Sequence, residues 1–178
     1  MLFTSYVELS KSALNNNIRF MKQKAGAGVK YSMVIKANAY GHGIEDLLPM
    51  IEECGVDHFS VFSVEEARRA LKVKKESCHI MIMGFVDDDQ IEWAIENDIS
   101  FFAFTPERLQ KVTETSKKTS RPARIHVELE TGMHRTGFCG DQLSWVEELL
   151  KNNTHSIVIE RLCSHLAGAE SLSNFPRI

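Results

Sequence analysis

The order of helical and strand signals along the chain predicts an α/β fold on parallel strands, and specifically part of a (β/α)8 TIM-type barrel. Three observations carry this. Short runs rich in β-branched and aromatic residues alternate with helical segments of ten or so residues, the pattern of parallel strands joined by crossovers. Residues with chemical potential then fall at the ends of several strands, Lys36 after the first, Arg135 after the fifth and His165 after the sixth. A doubly wound open sheet also fits the alternation, but it usually places a Gly-rich phosphate loop after its first strand, whereas a barrel gathers polar residues at many strand ends. Finally, six strands can be counted and a closed barrel takes about 250 residues, so about six of eight β-α units are expected in these 178 residues.

Taken in order, Ser10 is placed to cap a helix whose Ala13, Leu14, Ile18 and Met21 recur at helical spacing as far as Ala25. The stretch YSMVIKA reads as the first strand, and residues 43–54, with Ile44, Leu47, Leu48 and Ile51 on one face, as the next helix. VDHFSVFS (strand), VEEARRALK (helix), HIMIMGF (strand), DDDQIEWAIEND (helix) and ISFFAF (strand) follow. The acidic run Asp87 to Asp89 is read as a helix start, with carboxylates at the positive end of the dipole. In TPERLQKVTETSKK, Thr105 is the cap and Pro106 the first helical residue. RIHVELE is the fifth strand, DQLSWVEELLKN a helix and IVIERLCSHLA the sixth strand. No linker or low-complexity tract interrupts the order.

Composition narrows the partners. With 43% hydrophobic and 25% charged residues the chain can bury a core, and 21 basic against 24 acidic residues give a formal charge of −3 with no dense basic cluster. That argues against nucleic acid or an anionic membrane and for a small molecule. Cys54, Cys78, Cys139 and Cys163 are widely spaced and form no C-x-x-C, so they read as reduced, mostly packed thiols of a cytoplasmic protein and indicate neither zinc nor a disulfide framework. No export signal or membrane span is visible, and no metal is expected.

The most informative stretch is YSMVIKANAYGHG, residues 31–43, which sets one lysine at the end of an apolar run. On position alone a lysine there is a solvated strand terminus. Val34 and Ile35, however, imply burial just before Lys36, and a buried ammonium is disfavoured against its neutral form. A neutral lysine amine is a nucleophile that condenses with an aldehyde, the attachment used by pyridoxal phosphate. Tyr40 lies four residues on, within reach of a cofactor phosphate or equally placed as a rim tyrosine, and Gly41 and Gly43 permit close backbone approach. Turn chemistry accounts for Asn38, His42 and His134 without a catalytic role. His165 reads either as a core histidine or as a site residue.

VIKANAYGHG resembles the cofactor-lysine motif of the alanine racemases. ETGMHRTGF, residues 130–138, resembles that family's second signature, with Glu130 where Asp is usual, and SHLAGAE, residues 164–170, resembles the sixth-strand segment that carries the family's histidine. The three occur in the family's order. The resemblance covers the amino-terminal barrel domain and implies a pyridoxal 5'-phosphate-dependent isomerase that interconverts L- and D-alanine for cell-wall precursors, or serine in a close relative. A non-catalytic barrel that binds the cofactor is the reading from another class.

By the same resemblance Lys36 would hold the cofactor as an internal aldimine and act as a base on one face of the substrate α-carbon. Tyr40 would touch the cofactor phosphate, Arg135 the ring's phenolic oxygen and the substrate carboxylate, and His165 would lie against the cofactor. Many members carry a carbamylated lysine where this chain has Glu128, so a direct Glu128–Arg135 pair is expected in place of the carbamate. Alternation along RIHVELE puts His126, Glu128 and Glu130 on one face, which lines either a barrel interior or water. The expected domain is residues 1–178 as an amino-terminal barrel part lacking the family's last strands and carboxyl-terminal β-domain, with a homodimer expected for the full-length enzyme. With Lys36 as its one candidate base, this part alone is not expected to racemise.

Overall fold

The computed structural model describes residues 5–168, and the chain divides into two compact units, residues 1–84 and 85–178. Each is α/β with parallel strands, as expected.

In the first unit, α1 (Lys11–Ala25) begins where Ser10 Oγ accepts the Ala13 N–H at 3.3 Å and ends at Gly26, φ 88°. Of the four apolar residues expected to pack, Ile18 is buried but Met21 is 51% exposed; the helix is also tied down by Lys22, whose Nζ donates to the Gly55 carbonyl at 2.7 Å, and by Lys11, which pairs with Glu53. β1 is short, Met33–Val34, and the residues after it turn at once into α2 (Lys36–Tyr40). α3 (Ile44–Glu53) buries Ile44, Leu48 and Ile51. β2 (His58–Val61), α4 (Val64–Leu71) and β3 (His79–Ile82) complete the unit. β1 pairs with β2 and β2 with β3, all parallel, with Met33 opposite Phe59 and Phe59 opposite Ile80. Phe59, Val61, Ile80 and Ile82, in register on one face, are nearly inaccessible, and Ser60 and Met81 on the opposite face are buried as well, which makes both faces of this sheet core.

The second unit holds α5 (Ile91–Glu96), β4 (Ser100–Ala103), α6 (Pro106–Thr119), β5 (Ala123–Leu129), a 3-10 turn (Gly140–Gln142), α7 (Leu143–Asn152) and β6 (Ile157–Ser164). α6 starts as its sequence dictates, with Pro106 in the first turn and Thr105 Oγ1 accepting the Arg108 N–H at 3.3 Å. β4 pairs with β5 and β5 with β6, again parallel, with a register shift between Ile125 and His126. The acidic run does not open α5, whose cap is Gln90. Asp88 instead accepts a hydrogen bond from Arg108 Nη1 at 2.8 Å, and the Arg108 guanidinium, itself buried, lies 4.0 Å above the Phe85 ring. No helix among the described residues is long and apolar enough to cross a membrane.

Candidate active site

In a parallel unit the loops leaving the strands all emerge at one edge, so residues that follow β1, β2 and β3 share a rim. Lys36 stands on that rim of the first unit. It is half-buried, less enclosed than the apolar run before it suggested, because β1 stops at Val34 and Ile35 alone is fully buried. Among the described residues no hydrogen bond or ion pair engages its ammonium. Tyr40 is 60% exposed on the same turn.

That turn is the least ordinary backbone in the unit. Ala37, Asn38, Ala39 and Tyr40 all have φ between 52° and 54°, and the first three have ψ between 45° and 48°. They form one turn of left-handed helix without a glycine. Each such residue costs roughly 1–2 kcal/mol because Cβ crowds the following carbonyl, so four of them store strain that the surroundings must hold. Local bonds close the turn: Ala39 N–H donates to Ile35 O at 2.9 Å, Gly41 N–H to Ala37 O at 3.0 Å and Gly43 N–H to Asn38 O at 3.0 Å. Gly41, φ 89°, extends the left-handed run where glycine meets no penalty.

Contacts from distant elements then converge on Asn38. Its N–H donates to Glu66 Oε1 at 3.2 Å, and its Oδ1 accepts from the Ile44 N–H at 3.2 Å and from Arg69 Nη2 at 2.6 Å. Arg69 also donates through Nε and Nη2 to the two oxygens of Glu45, at 2.7 and 2.5 Å. This forked contact lowers the Glu45 carboxyl to about 2 and raises the Arg69 guanidinium. Sequence reasoning assigned Asn38 to turn chemistry and missed Glu66 and Arg69. The available signal was Ser63-x-x-Glu66, a capping-box spacing: Ser63 Oγ does accept the Glu66 N–H at 3.2 Å, but the Glu66 carboxylate turns outward to the Phe62 and Asn38 N–H groups.

In the second unit the ends of β5 and β6 lie side by side, with Glu128 opposite Cys163 and Leu129 opposite Ser164 in the register. His165 follows β6 immediately and is exposed. The chain leaving β5 folds back on itself, so that Phe138 N–H donates to Glu128 O at 2.8 Å and Glu130 N–H to Phe138 O at 3.1 Å. Gly137 makes this return possible, since a Cβ there would stand 2.6 Å from Glu130 N. Glu130 closes the turn by accepting the Gly132 N–H and, at 3.4 Å, the Arg135 N–H, and the Gly132 bond is the leading cause of its lowered pKa. The side chains of Thr131 and Ser164 join the two strand ends through their hydroxyls.

Of the two surroundings open to the polar face of β5, interior or water, Glu128 has the interior. It is 4% exposed and His126 beside it is 5% exposed, because both faces of this central strand are covered. Arg135 sits in the exposed turn, fixed through its own backbone, and among the described residues no ion pair joins it to Glu128.

The site residues suit pyridoxal phosphate on chemical grounds. Lys36 offers an amine with no competing partner among the described residues, and Tyr40 an exposed phenol on the same turn. Within the second unit, Arg135 and His165 are exposed after β5 and β6.

Comparison with known proteins gives the family. Residues 9–176 match the family described as alanine racemase, N-terminal domain. Alanine racemase 1 of Caldanaerobacter subterraneus subsp. tengcongensis is 31% identical over 163 residues, which is 92% of this chain and 42% of that protein. Among solved structures, the alanine racemase of Clostridium difficile 630 superposes with a TM-score of 0.80 at 28% identity, over 92% of this chain and 42% of that one. The Bartonella henselae alanine racemase with covalently bound pyridoxal phosphate gives 0.81 at 26% identity, over 94% and 47%. The chain therefore spans less than half the length of these relatives, and its six parallel strands are a partial TIM-type barrel. On the match across nearly all its residues, this chain belongs to the alanine racemase N-terminal domain family.

Proposed function

We propose that the chain is the cofactor-lysine-bearing part of a pyridoxal 5'-phosphate-dependent amino-acid racemase acting on alanine. The observation that carries this is Lys36: a half-buried amine, unengaged among the described residues, directly before a strained left-handed turn. Strain of this kind persists where the surroundings over-determine it, characteristically at sites that bind or react.

When bound, pyridoxal phosphate supplies an aldehyde for amines and a ring that withdraws electrons from the substrate α-carbon, so that its proton becomes removable. The chain's residues do the rest. Lys36 Nζ would hold the cofactor and would move a proton to or from one face of the α-carbon as a general base and acid. The Tyr40 hydroxyl would serve the cofactor phosphate. Arg135 would take the substrate carboxylate with its planar fork of donors, a two-pronged grip that would also orient the α-carbon, and His165 would help to hold the cofactor. In this reading the full-length enzyme is a cytoplasmic homodimer that supplies D-alanine to cell-wall synthesis.

The test is chemical. Protein incubated with pyridoxal phosphate and reduced with borohydride is expected to carry the adduct on the peptide containing Lys36. Adducts scattered over surface lysines, and no fewer in Lys36→Ala, would overturn the assignment.

A further inference from the structure

We propose that Glu66 and Arg69 of α4 are positioning residues for the cofactor lysine: by holding Asn38, they lock the left-handed turn of residues 37–40 and so set where Lys36 and Tyr40 stand. This rests on the pyridoxal phosphate reading above.

The bonds inside the turn do not choose its hand, since a right-handed turn closes with the same kinds of N–H to carbonyl bonds. The contacts on Asn38 do. Its backbone N–H points out of the turn to Glu66 Oε1, and its side-chain oxygen bridges the first N–H of α3 and Arg69 Nη2. Reversing the hand of the turn would break all three. The two clamping groups are themselves immobilised. Glu66 Oε2 is held by the Phe62 N–H at 2.9 Å, in the loop between β2 and α4, and Arg69 is gripped by both oxygens of Glu45 on α3. Three elements thus meet on one backbone residue two positions after Lys36. Among the described residues no hydrogen bond or ion pair joins Glu66, Arg69 or Glu45 to Lys36 or to the Tyr40 hydroxyl, so their influence passes through the main chain. Strain supported in this way gives Lys36 one preferred position before the cofactor arrives, which lowers the ordering required on binding.

Glu66→Gln and Arg69→Met are compared with the unaltered chain by two readouts: the pyridoxal phosphate concentration that half-saturates the borohydride-fixed Lys36 adduct, and amide hydrogen exchange in residues 38–44. Both variants are expected to need about tenfold more cofactor, the scale of one lost charge-assisted hydrogen bond, and to exchange faster in that segment with β5 and α6 unchanged. Adding Ala37→Gly to Arg69→Met is expected to recover most of the loss, because glycine occupies positive φ without penalty. Should Arg69→Met not fold, Arg69→Lys, which keeps the charge and loses the fork, is read the same way. Unchanged labelling and exchange would overturn the clamp while leaving Lys36 as the cofactor lysine. Weaker labelling without faster exchange would also overturn it, since Arg69 would then act on the cofactor directly. If the unaltered chain takes no label at Lys36, the cofactor reading falls; exchange at 38–44 then decides the clamp alone, acceleration upholding it and no change overturning it.

Discussion

Glu128 stands opposite Cys163 across the β5–β6 ladder, and the two are electrostatically linked. Burial is the first cause that pushes the Cys163 thiol above its ordinary value, and the Glu128 carboxylate adds to it, since a thiolate beside an existing negative charge is disfavoured.

Glu128→Gln keeps the shape and removes that charge, so the Cys163 pKa is expected to fall part of the way back. The measurement is the rate of alkylation at Cys163 as a function of pH, with its midpoint moving to lower pH in the variant. An unmoved midpoint would mean that burial alone sets the thiol. The same variant tests the pairing expected from the sequence: with Arg135 held by its turn, Glu128→Gln should leave the backbone exchange of residues 130–138 unchanged.

Asp88 and Arg108 carry a second prediction. The Arg108 side chain is buried, among the described residues its Nε finds no hydrogen-bond partner, and Asp88 pairs with its charge. Asp88→Ala would leave a buried guanidinium uncompensated apart from its stacking on Phe85. Removal of one partner of a fully buried pair costs about 3–5 kcal/mol; Asp88 itself is largely exposed, so the expected loss is nearer about 1–3 kcal/mol, that of a buried donor left unsatisfied. Arg108→Met in the Asp88→Ala background should recover part of it, as an apolar chain of similar length needs no counter-charge. Urea unfolding of the two variants decides the matter.

These cases show what local sequence could and could not disclose. Alternation of periodicities located all six strands and put Lys36, Arg135 and His165 at strand ends, because those signals depend on neighbours within a turn or a strand. The hand of the turn after Lys36 was not readable, since Ala37, Asn38 and Ala39 suit an ordinary helix and the choice is made by Glu66 and Arg69, 28 and 31 residues from Asn38. Likewise Asp88 was read as a helix opener although its partner lies 20 residues away. Alternation along β5 separated two faces but carried no information on whether the polar one is exposed, and His126 and Glu128 on it are buried. The apolar stripe on α1 erred in the opposite sense, with spacing intact and little to pack against.

The Glu45–Arg69 contact makes the turn after Lys36 sensitive to acid. Glu45 has its carboxyl lowered to about 2 from an ordinary 4.5, first through the Arg69 hydrogen bond, with Lys72 adding a smaller attraction. A depressed folded pKa contributes stability that is present above the unfolded value and is lost as pH falls toward the folded one. Exchange in residues 38–44 is therefore expected to accelerate between about pH 4.5 and 2 relative to Glu45→Gln, which has no charge to lose. Both side chains are partly exposed, so the difference should shrink in high salt. Parallel pH profiles for the two proteins would show that Glu45 does not support the turn.

The last prediction concerns β6, among the described residues the outermost strand of the β4-β5-β6 order. Val158 and Ile159, adjacent and so on opposite faces, are both well exposed, and Leu162 is 67% exposed. An edge strand with free backbone groups and apolar side chains on both faces is a template for pairing with another chain. The 178-residue chain is therefore expected to self-associate, with a sedimentation coefficient that rises with protein concentration. Leu162→Lys replaces an exposed apolar side chain on one face of the edge strand by a charge and should reduce that association at little expense to folding, because the residue packs against so little within the unit. Lys is the substitution of choice over Ala, since Ala only removes apolar area, whereas a lysine beside a partner strand must be desolvated where the two faces close over it. If Leu162→Lys associates as strongly as the unaltered chain, the contact lies elsewhere, and the exposed Phe20 and Met21 on α1 become the surface to alter.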